Sequence, residues 1–285
     1  MALESKIKAL YTQAKKTLTN AYEWISTERD YAIINLAGLV HESVRRKYPI
    51  GKENRNLGIK AYDKDPIVLL HGFAQNRGVL IDMAEKIRRK GFEFIFRMDY
   101  KYYKSIDEII KNLDYKIKNI INETKCNTKK VSLIGHSEGG LVARDYSIKH
   151  PENVDYCIMV GTPNKGTYVA IPGYFLALLL KHSPISKLLK IKFDSASAYQ
   201  MIPGTQKTPN VKENGVKYFS IYSKYDEAVI KKDSEIVPFA INILIEEFGV
   251  KYRGHIALIH DTKIIDGICS ILNGEFKRDE VKNIA

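Results

Sequence analysis

One short stretch of the chain combines residue types at a spacing that suits nucleophilic chemistry: Gly135-His136-Ser137-Glu138-Gly139-Gly140. It holds a G-x-S-x-G pattern directly after the apolar run 131–134 and before a stretch with helical character. A serine on a tight strand-to-helix turn has its hydroxyl lifted clear of the sheet, and glycines beside it leave room for the backbone to turn. The start of the following helix favours negative charge near the attacking oxygen. Ser137 is therefore the candidate nucleophile. The competing reading is a glycine-rich turn with an incidental serine, and the strand–turn–helix setting weighs against it. A second stretch, His71-Gly72-Phe73, closes the apolar run 67–70. A serine nucleophile of this kind takes one oxyanion amide from the loop after an early strand and one from the residue after the serine. These are Phe73 and Glu138. Two such amides contribute roughly 3 to 4 kcal/mol each to a developing oxyanion.

These residues need a framework to hold them. From Pro66 onward, short apolar runs alternate with amphipathic stretches. Strands are expected at 67–70, 92–96, 131–134, 155–160 and 216–222, with a last one inside 240–252. Helices are expected at about 77–90, closed by Gly91, at 105–123 with a Ser105/Glu108 capping box, at 137–149 and at 262–272. Continuous apolar strands suit a sheet covered on both faces. The alternation predicts an α/β fold with a mostly parallel sheet flanked by helices and right-handed crossovers. It is interrupted at about 168–214, where ten of the twelve residues from 169 to 180 are apolar. That segment reads as an inserted helical cap. Residues 1–62 read as a separate N-terminal helical extension, with an apolar stripe through Leu3, Ile7, Leu10, Ala14, Leu18, Ala21 and Ile25 and a second helix at about 30–46. The main domain is then 63–285.

With these pieces in place, the chain resembles the α/β-hydrolase superfamily, and within it bacterial and archaeal esterases and triacylglycerol lipases. The resemblance rests on Leu70-His71-Gly72-Phe73, on Gly135 to Gly140, and on Gly161-Thr162-Pro163-Asn164-Lys165-Gly166-Thr167, which is similar to the G-T-P-H-x-G-[ST] segment of many lipases. It covers about 64–167 and 215–272. The resemblance implies the chain order nucleophile, acid, histidine. Asp226 then follows the strand 216–222 as the acid, with Asp233 and then Glu227 as alternatives. Arg253-Gly254-His255-Ile256-Ala257-Leu258 is similar to the superfamily's G-H-x-x-L segment, so His255 is the base and His260, beside Asp261, the alternative. The implied activity is cleavage of carboxylic esters through an acyl-enzyme, with acyltransfer, thioester cleavage or a non-catalytic lipid-binding role as alternatives. No cofactor is implied. Two positions depart from the pattern. Glu138 replaces the usual Gln, Met or Leu, so its carboxylate is expected to turn away or pair with a cation. Asn164 replaces a common histidine.

Composition narrows the rest. The 285 residues carry a net charge of +12, but 34 of the 45 basic residues are lysines spread along the chain, which argues against nucleic acid. Cys126, Cys157 and Cys269 form no CxxC pair, so a disulfide framework or cysteine zinc site is not expected and a reducing, cytoplasmic setting is. There is no HExxH, and the 161–166 glycine spacing lacks the lysine of a phosphate loop, so neither a metal nor a nucleotide is expected. No apolar run is long enough to span a bilayer and no secretory leader is evident. Tyr168, Tyr174, Phe175, Leu176 and Leu179 are the candidate acyl-pocket residues of the cap, and the expected partner is a small-molecule or lipid ester. For the N-terminal helices the reading is packing on the core first, then a homodimer through the stripe, then peripheral contact with an anionic membrane or lipid droplet.

Overall fold

The strands come from largely apolar runs, and residues 67–70, 131–136 and 157–160 are buried throughout because the sheet is covered on both sides. In the computed structural model, which describes residues 64–102, 104–124, 126–171, 196–205, 213–236 and 240–276, these runs form one six-stranded sheet. The expected extension at 1–62 lies outside the described residues, as do 172–195 and 206–212 of the expected cap.

Strand β1 (Ile67–Leu70) is followed by a 3-10 turn (Arg77–Leu80) and α1 (Ile81–Arg89). Then come β2 (Ile95–Met98), α2 (Ile106–Thr124), β3 (Val131–His136), α3 (Glu138–Lys149) and β4 (Val154–Val160). The short α4 (Ala196–Gln200) belongs to the inserted segment. The chain returns through β5 (Lys217–Tyr222), α5 (Lys231–Ser234), β6 (Ala240–Leu244) and α6 (Thr262–Leu272). All neighbouring strands pair in parallel, in the order β2-β1-β3-β4-β5-β6.

Successive residues of a strand face opposite sides, and the core divides accordingly. Ile67 and Leu69 pack with Ile87 of α1 and Ile265 of α6 on one side. Val68 and Leu70 pack with Ile117 of α2 and Val142 of α3 on the other. Helix α6 starts as the sequence suggests, with Asp261 accepting from the amides of Lys263 and Ile264. The Ser105 hydroxyl likewise accepts from the Glu108 amide. The expected strand at 92–96 lies later, at 95–98. Strand β1 offers a parallel ladder only from Ile67, which pairs with Ile95, so Phe92 packs in the core ahead of the strand. The expected helix at 77–90 begins as a 3-10 turn capped by the Asn76 side chain.

The order of the strands places the site. After β1 the chain moves outward to β2, and then it returns past β1 to β3. The loops leaving β1 and β3 diverge there and open a crevice at the carboxyl ends of the strands, where ligands of such sheets bind. His71-Gly72-Phe73 leaves β1 at that point and Ser137 leaves β3.

Close approach at this joint admits no side chain. A Cβ at Gly135 would overlap the Gly139 carbonyl, and one at Gly139 would overlap the Leu70 carbonyl. Gly139→Ala is expected to cost about 2–3 kcal/mol through overpacking against backbone, lowering the melting temperature by roughly 4–10 °C. A thermal melt indistinguishable from wild type would show that the joint has slack.

Candidate active site

Ser137 joins β3 to α3 with φ 54° and ψ −122°. A residue with a Cβ rarely takes such a conformation, which costs on the order of 1–3 kcal/mol and persists only where its surroundings enforce it. Here the Ser137 amide donates to the Val160 carbonyl at 2.9 Å and the Gly140 amide donates to the Ser137 carbonyl at 3.0 Å. Gly140 in turn lies against the Thr162 side chain, with no space for a Cβ.

The loop after β1 closes one side. A Cβ at Gly72 would lie 3.1 Å from Ser137 Cβ. The Gly72 amide donates to Gln75 Oε1 at 2.9 Å. The Tyr100 hydroxyl donates to the His71 carbonyl, and its ring stacks on His71 at 4.1 Å. Phe73 meets Tyr102 edge-on, with ring centroids 5.1 Å apart.

The loops after β5 and β6 close the other side. Asp226 Oδ1 accepts from the amides of Ala228 and Val229 at 2.9 and 2.8 Å. Its Oδ2 accepts from His255 Nδ1 at 2.8 Å. A carboxylate only accepts, so Nδ1 carries the imidazole proton. Glu227 Oε2 accepts from the His255 amide at 3.1 Å. The Ser223 hydroxyl donates to the Arg253 carbonyl at 2.6 Å. Two loops about thirty residues apart in sequence are thereby stitched together at three places.

Gly161, at the end of β4, connects the two halves. It follows Val160, the acceptor for the Ser137 amide. A Cβ on Gly161 would stand 3.2 Å from Asp226 Oδ2 and 3.3 Å from His255 Nδ1. His136, next to the serine, completes the link. Its ring lies 4.7 Å from that of His255, and its Nε2 donates to the His255 carbonyl at 3.1 Å. Burial holds the His136 imidazole well below the usual histidine range, and the neighbouring His255 lowers it further, so the ring is neutral.

The structure thus brings Asp226 to His255, and sets Ser137 at the same end of the sheet. The alternatives make other contacts. Asp233 lies on α5, where its carbonyl accepts from the Lys165 amide. Glu227 reaches the backbone of His255, not its ring. His260 is fully buried and pairs with Asp82 of α1 at 3.2 Å, so the expected His260–Asp261 surface pair is not found; Asp261 instead binds Arg253 and caps α6. Asn164 is buried: its amide nitrogen donates to the Ser234 carbonyl at 2.7 Å, and its Oδ1 accepts from Arg144 at 3.1 Å. Of the cap candidates, Tyr168 is 63% exposed; Tyr174, Phe175, Leu176 and Leu179 lie outside the described residues.

The Glu138 side chain is fully buried, and among the described residues no cation makes an ion pair with it. Burial pushes the carboxyl up to about 8, with the Ser197 hydroxyl acting weakly in the opposite direction. It is a neutral acid over most of the physiological range. Local spacing gave no sign of this, nor of the supporting roles of Glu227 and Ser223, whose partners His255 and Arg253 are distant in sequence.

Among the described residues, no group of three or more His, Cys, Asp or Glu side chains is gathered as a metal site would need. No helix among them is long and apolar enough to cross a membrane.

A six-stranded parallel sheet covered on both faces, with a serine elbow after its third described strand, defines an α/β-hydrolase. The chain belongs to the palmitoyl protein thioesterase family, whose model matches residues 66–215. No curated protein matches it in sequence. Among solved structures it is similar to the mature lipase BlEst2 of Bacillus licheniformis, at 21% identity and TM-score 0.59, over 76% of this chain and 96% of that one. It is also similar to a thermophilic esterase from Thermogutta terrifontis, at 14% identity and TM-score 0.53, over 76% and 92% of the two chains. A meta-cleavage product hydrolase from Pseudomonas fluorescens matches at 13% identity and TM-score 0.53, over 76% and 93%. At these identities the likeness concerns the fold.

The buried Glu138 has a consequence for stability. Its carboxyl moves from an ordinary 4.5 up to about 8 on folding. The unfolded chain therefore releases this proton first, and the group lowers stability progressively as pH rises from about 4.5 to about 8, by an amount on the order of a few kcal/mol. Glu138→Gln removes that penalty. Its melting temperature relative to wild type is expected to rise from pH 4.5 to pH 8 and level off above. Parallel thermal melts across that range check this; a constant offset would contradict it.

Proposed function

We propose that the chain hydrolyses acyl esters through an acyl-enzyme on Ser137, with His255 as the base and Asp226 as its orienting acid. The observation that carries this reading is the Asp226–His255 pair, set beside the strained Ser137 joint and linked to it through His136 and Gly161. With Nδ1 donating to Asp226, Nε2 is the nitrogen that takes the Ser137 proton. Ser137 Oγ then attacks the acyl carbon, and the amides of Phe73 and Glu138 hold the oxyanion. The intermediate collapses as His255 returns the proton to the departing oxygen or sulfur. Water, activated by the same nitrogen, releases the acid.

The acyl group is read as lipid-like. This is supported by the apolar segment 169–180 and by the family's description, palmitoyl protein thioesterase. The names of the structural neighbours, a lipase and an esterase, fit an oxygen ester. The family description favours a second reading, an acyl thioester, on the same residues. In this reading 63–285 forms the hydrolase domain with a cap at 168–214, and 1–62 is a helical extension used for packing, self-association or peripheral lipid contact in a cytoplasmic setting.

The test is turnover of p-nitrophenyl esters from acetate to palmitate and of palmitoyl-CoA, by wild type and by Ser137→Ala, Asp226→Ala, His255→Ala and His260→Ala. The first three variants are expected to lose about 10³-fold or more in kcat. His260→Ala is expected to keep activity within a few-fold of wild type. The ratio of thioester to ester turnover at equal chain length decides between the two readings. A wild type inert on every substrate would overturn the hydrolase proposal and leave a binding role on this fold.

A further inference from the structure

The proposed mechanism takes one oxyanion amide from Phe73, and that amide has to be aimed. Across a planar trans peptide the N–H points opposite to the carbonyl, so whatever holds the Gly72 carbonyl also sets the direction of the Phe73 N–H. A side chain holds it. Nδ1 of the fully buried His71 lies 2.9 Å from the Gly72 carbonyl oxygen. A carbonyl only accepts, so Nδ1 carries a proton and donates it. The Gly72 amide is tied as well, to Gln75 Oε1. Gly72 itself lies against the nucleophile: a Cβ there would stand 3.1 Å from Ser137 Cβ and 3.4 Å from His136 Nδ1. Among the described residues no carbonyl accepts from the Phe73 amide.

The imidazole is itself held in place from the neighbouring strand. Leu70 pairs with Met98 in the parallel ladder, so the segments leaving β1 and β2 run side by side and His71 meets Asp99 and Tyr100. The Tyr100 ring stacks on the imidazole, 10° from parallel, and its hydroxyl donates to the His71 carbonyl. His71 Nε2 faces Asp99 Oδ1 at 3.6 Å. The loop needs such enforcement. Ala74 takes a φ of 55°, which is unfavourable for a residue with a Cβ and persists only where its surroundings impose it.

We propose that His71 is a positioning residue of the oxyanion site: its Nδ1–H holds the Gly72 carbonyl, and the rigid Gly72–Phe73 peptide thereby aims the Phe73 N–H at the oxyanion beside Ser137. This rests on the reading of Ser137 as nucleophile. His71 touches no reacting atom. Its effect falls on the transition state, because an aimed N–H gains most where negative charge develops on the substrate oxygen. The role belongs to one ring nitrogen. Asparagine places its amide nitrogen two bonds from Cβ, as Nδ1 is, and so keeps a donor for the Gly72 carbonyl. Glutamine places its amide nitrogen three bonds from Cβ, as Nε2 is, and leaves the Nδ1 position without a donor.

The experiment measures kcat and KM on wild type, His71→Asn, His71→Gln, His71→Leu and Ser137→Ala, with the p-nitrophenyl ester that wild type turns over fastest and each protein well below its own melting temperature. Inhibition by a trifluoromethyl ketone of the same chain length, which adds to a serine and leaves an anionic hemiketal, is measured alongside. His71→Leu and His71→Gln are expected to lose about tenfold or more in kcat with KM within about twofold, and to bind the ketone more weakly by a similar factor. His71→Asn is expected to recover most of both losses. The proposal is overturned if His71→Leu or His71→Gln turns over as wild type does, if folded His71→Asn is no better than His71→Gln, or if the loss falls on KM alone. Should His71→Leu fail to fold, the other two variants decide. Inactive Ser137→Ala together with unaffected His71 variants would overturn this proposal alone. Turnover surviving in Ser137→Ala would overturn the nucleophile assignment and this proposal with it.

Discussion

The site depends on one backbone conformation, that of Ser137. A positive φ at a residue with a Cβ is unfavourable in isolation, so the structure around it must make every alternative worse. It does so by proximity. Strand β3 and helix α3 meet so closely that Gly135 lies on Gly139, Gly139 on the Leu70 carbonyl and Gly140 on Thr162. The strain is stored in a joint made of backbone, where little can relax. From this follow the direction of the serine, the start of α3 behind it, and the space left for the β1 loop beside it.

The buried polar groups around that joint are sorted by the donors each receives. Asp226 and Glu138 are both buried carboxyl groups within one site. Asp226 is met by two backbone amides and an imidazole, an environment built for a carboxylate. Among the described residues neither Glu138 carboxyl oxygen has a hydrogen-bond partner, and burial pushes the group up to about 8. His136, between them in role, is kept neutral by burial and spends its proton on the backbone of His255.

The acid and base loops show the same economy on a larger scale. Asp226 reaches the His255 ring, Glu227 its amide, and Ser223 the carbonyl two residues before it. An imidazole held through its ring alone could swing; held also through its backbone, it has one orientation. Asn164 and Arg144 extend the support below, tying α3, the loop after β4 and the α5 segment together.

Much of the framework was legible in the sequence by itself. The apolar runs marked the strands at 67–70, 131–136, 154–160 and 217–222 because a sheet covered on both faces tolerates few polar residues. Asp261 and Ser105 marked helix starts because capping is local chemistry. The G-H-S-E-G-G stretch marked the nucleophile joint because its geometry demands glycine on a turn a few residues long. What lay beyond local spacing was decided by tertiary structure. The strand at 95–98 begins where β1 can pair with it, which no run of apolar residues states. The choice among Asp226, Asp233 and Glu227, and between His255 and His260, depends on which loops the sheet brings together. Above all, the sequence shows Glu138 as a charged residue at a helix start, and only the packed structure makes it neutral. The ionisation of a carboxyl is set by what surrounds it in space, and those neighbours include Ser197 of α4 and Tyr100 beyond β2, both distant in sequence.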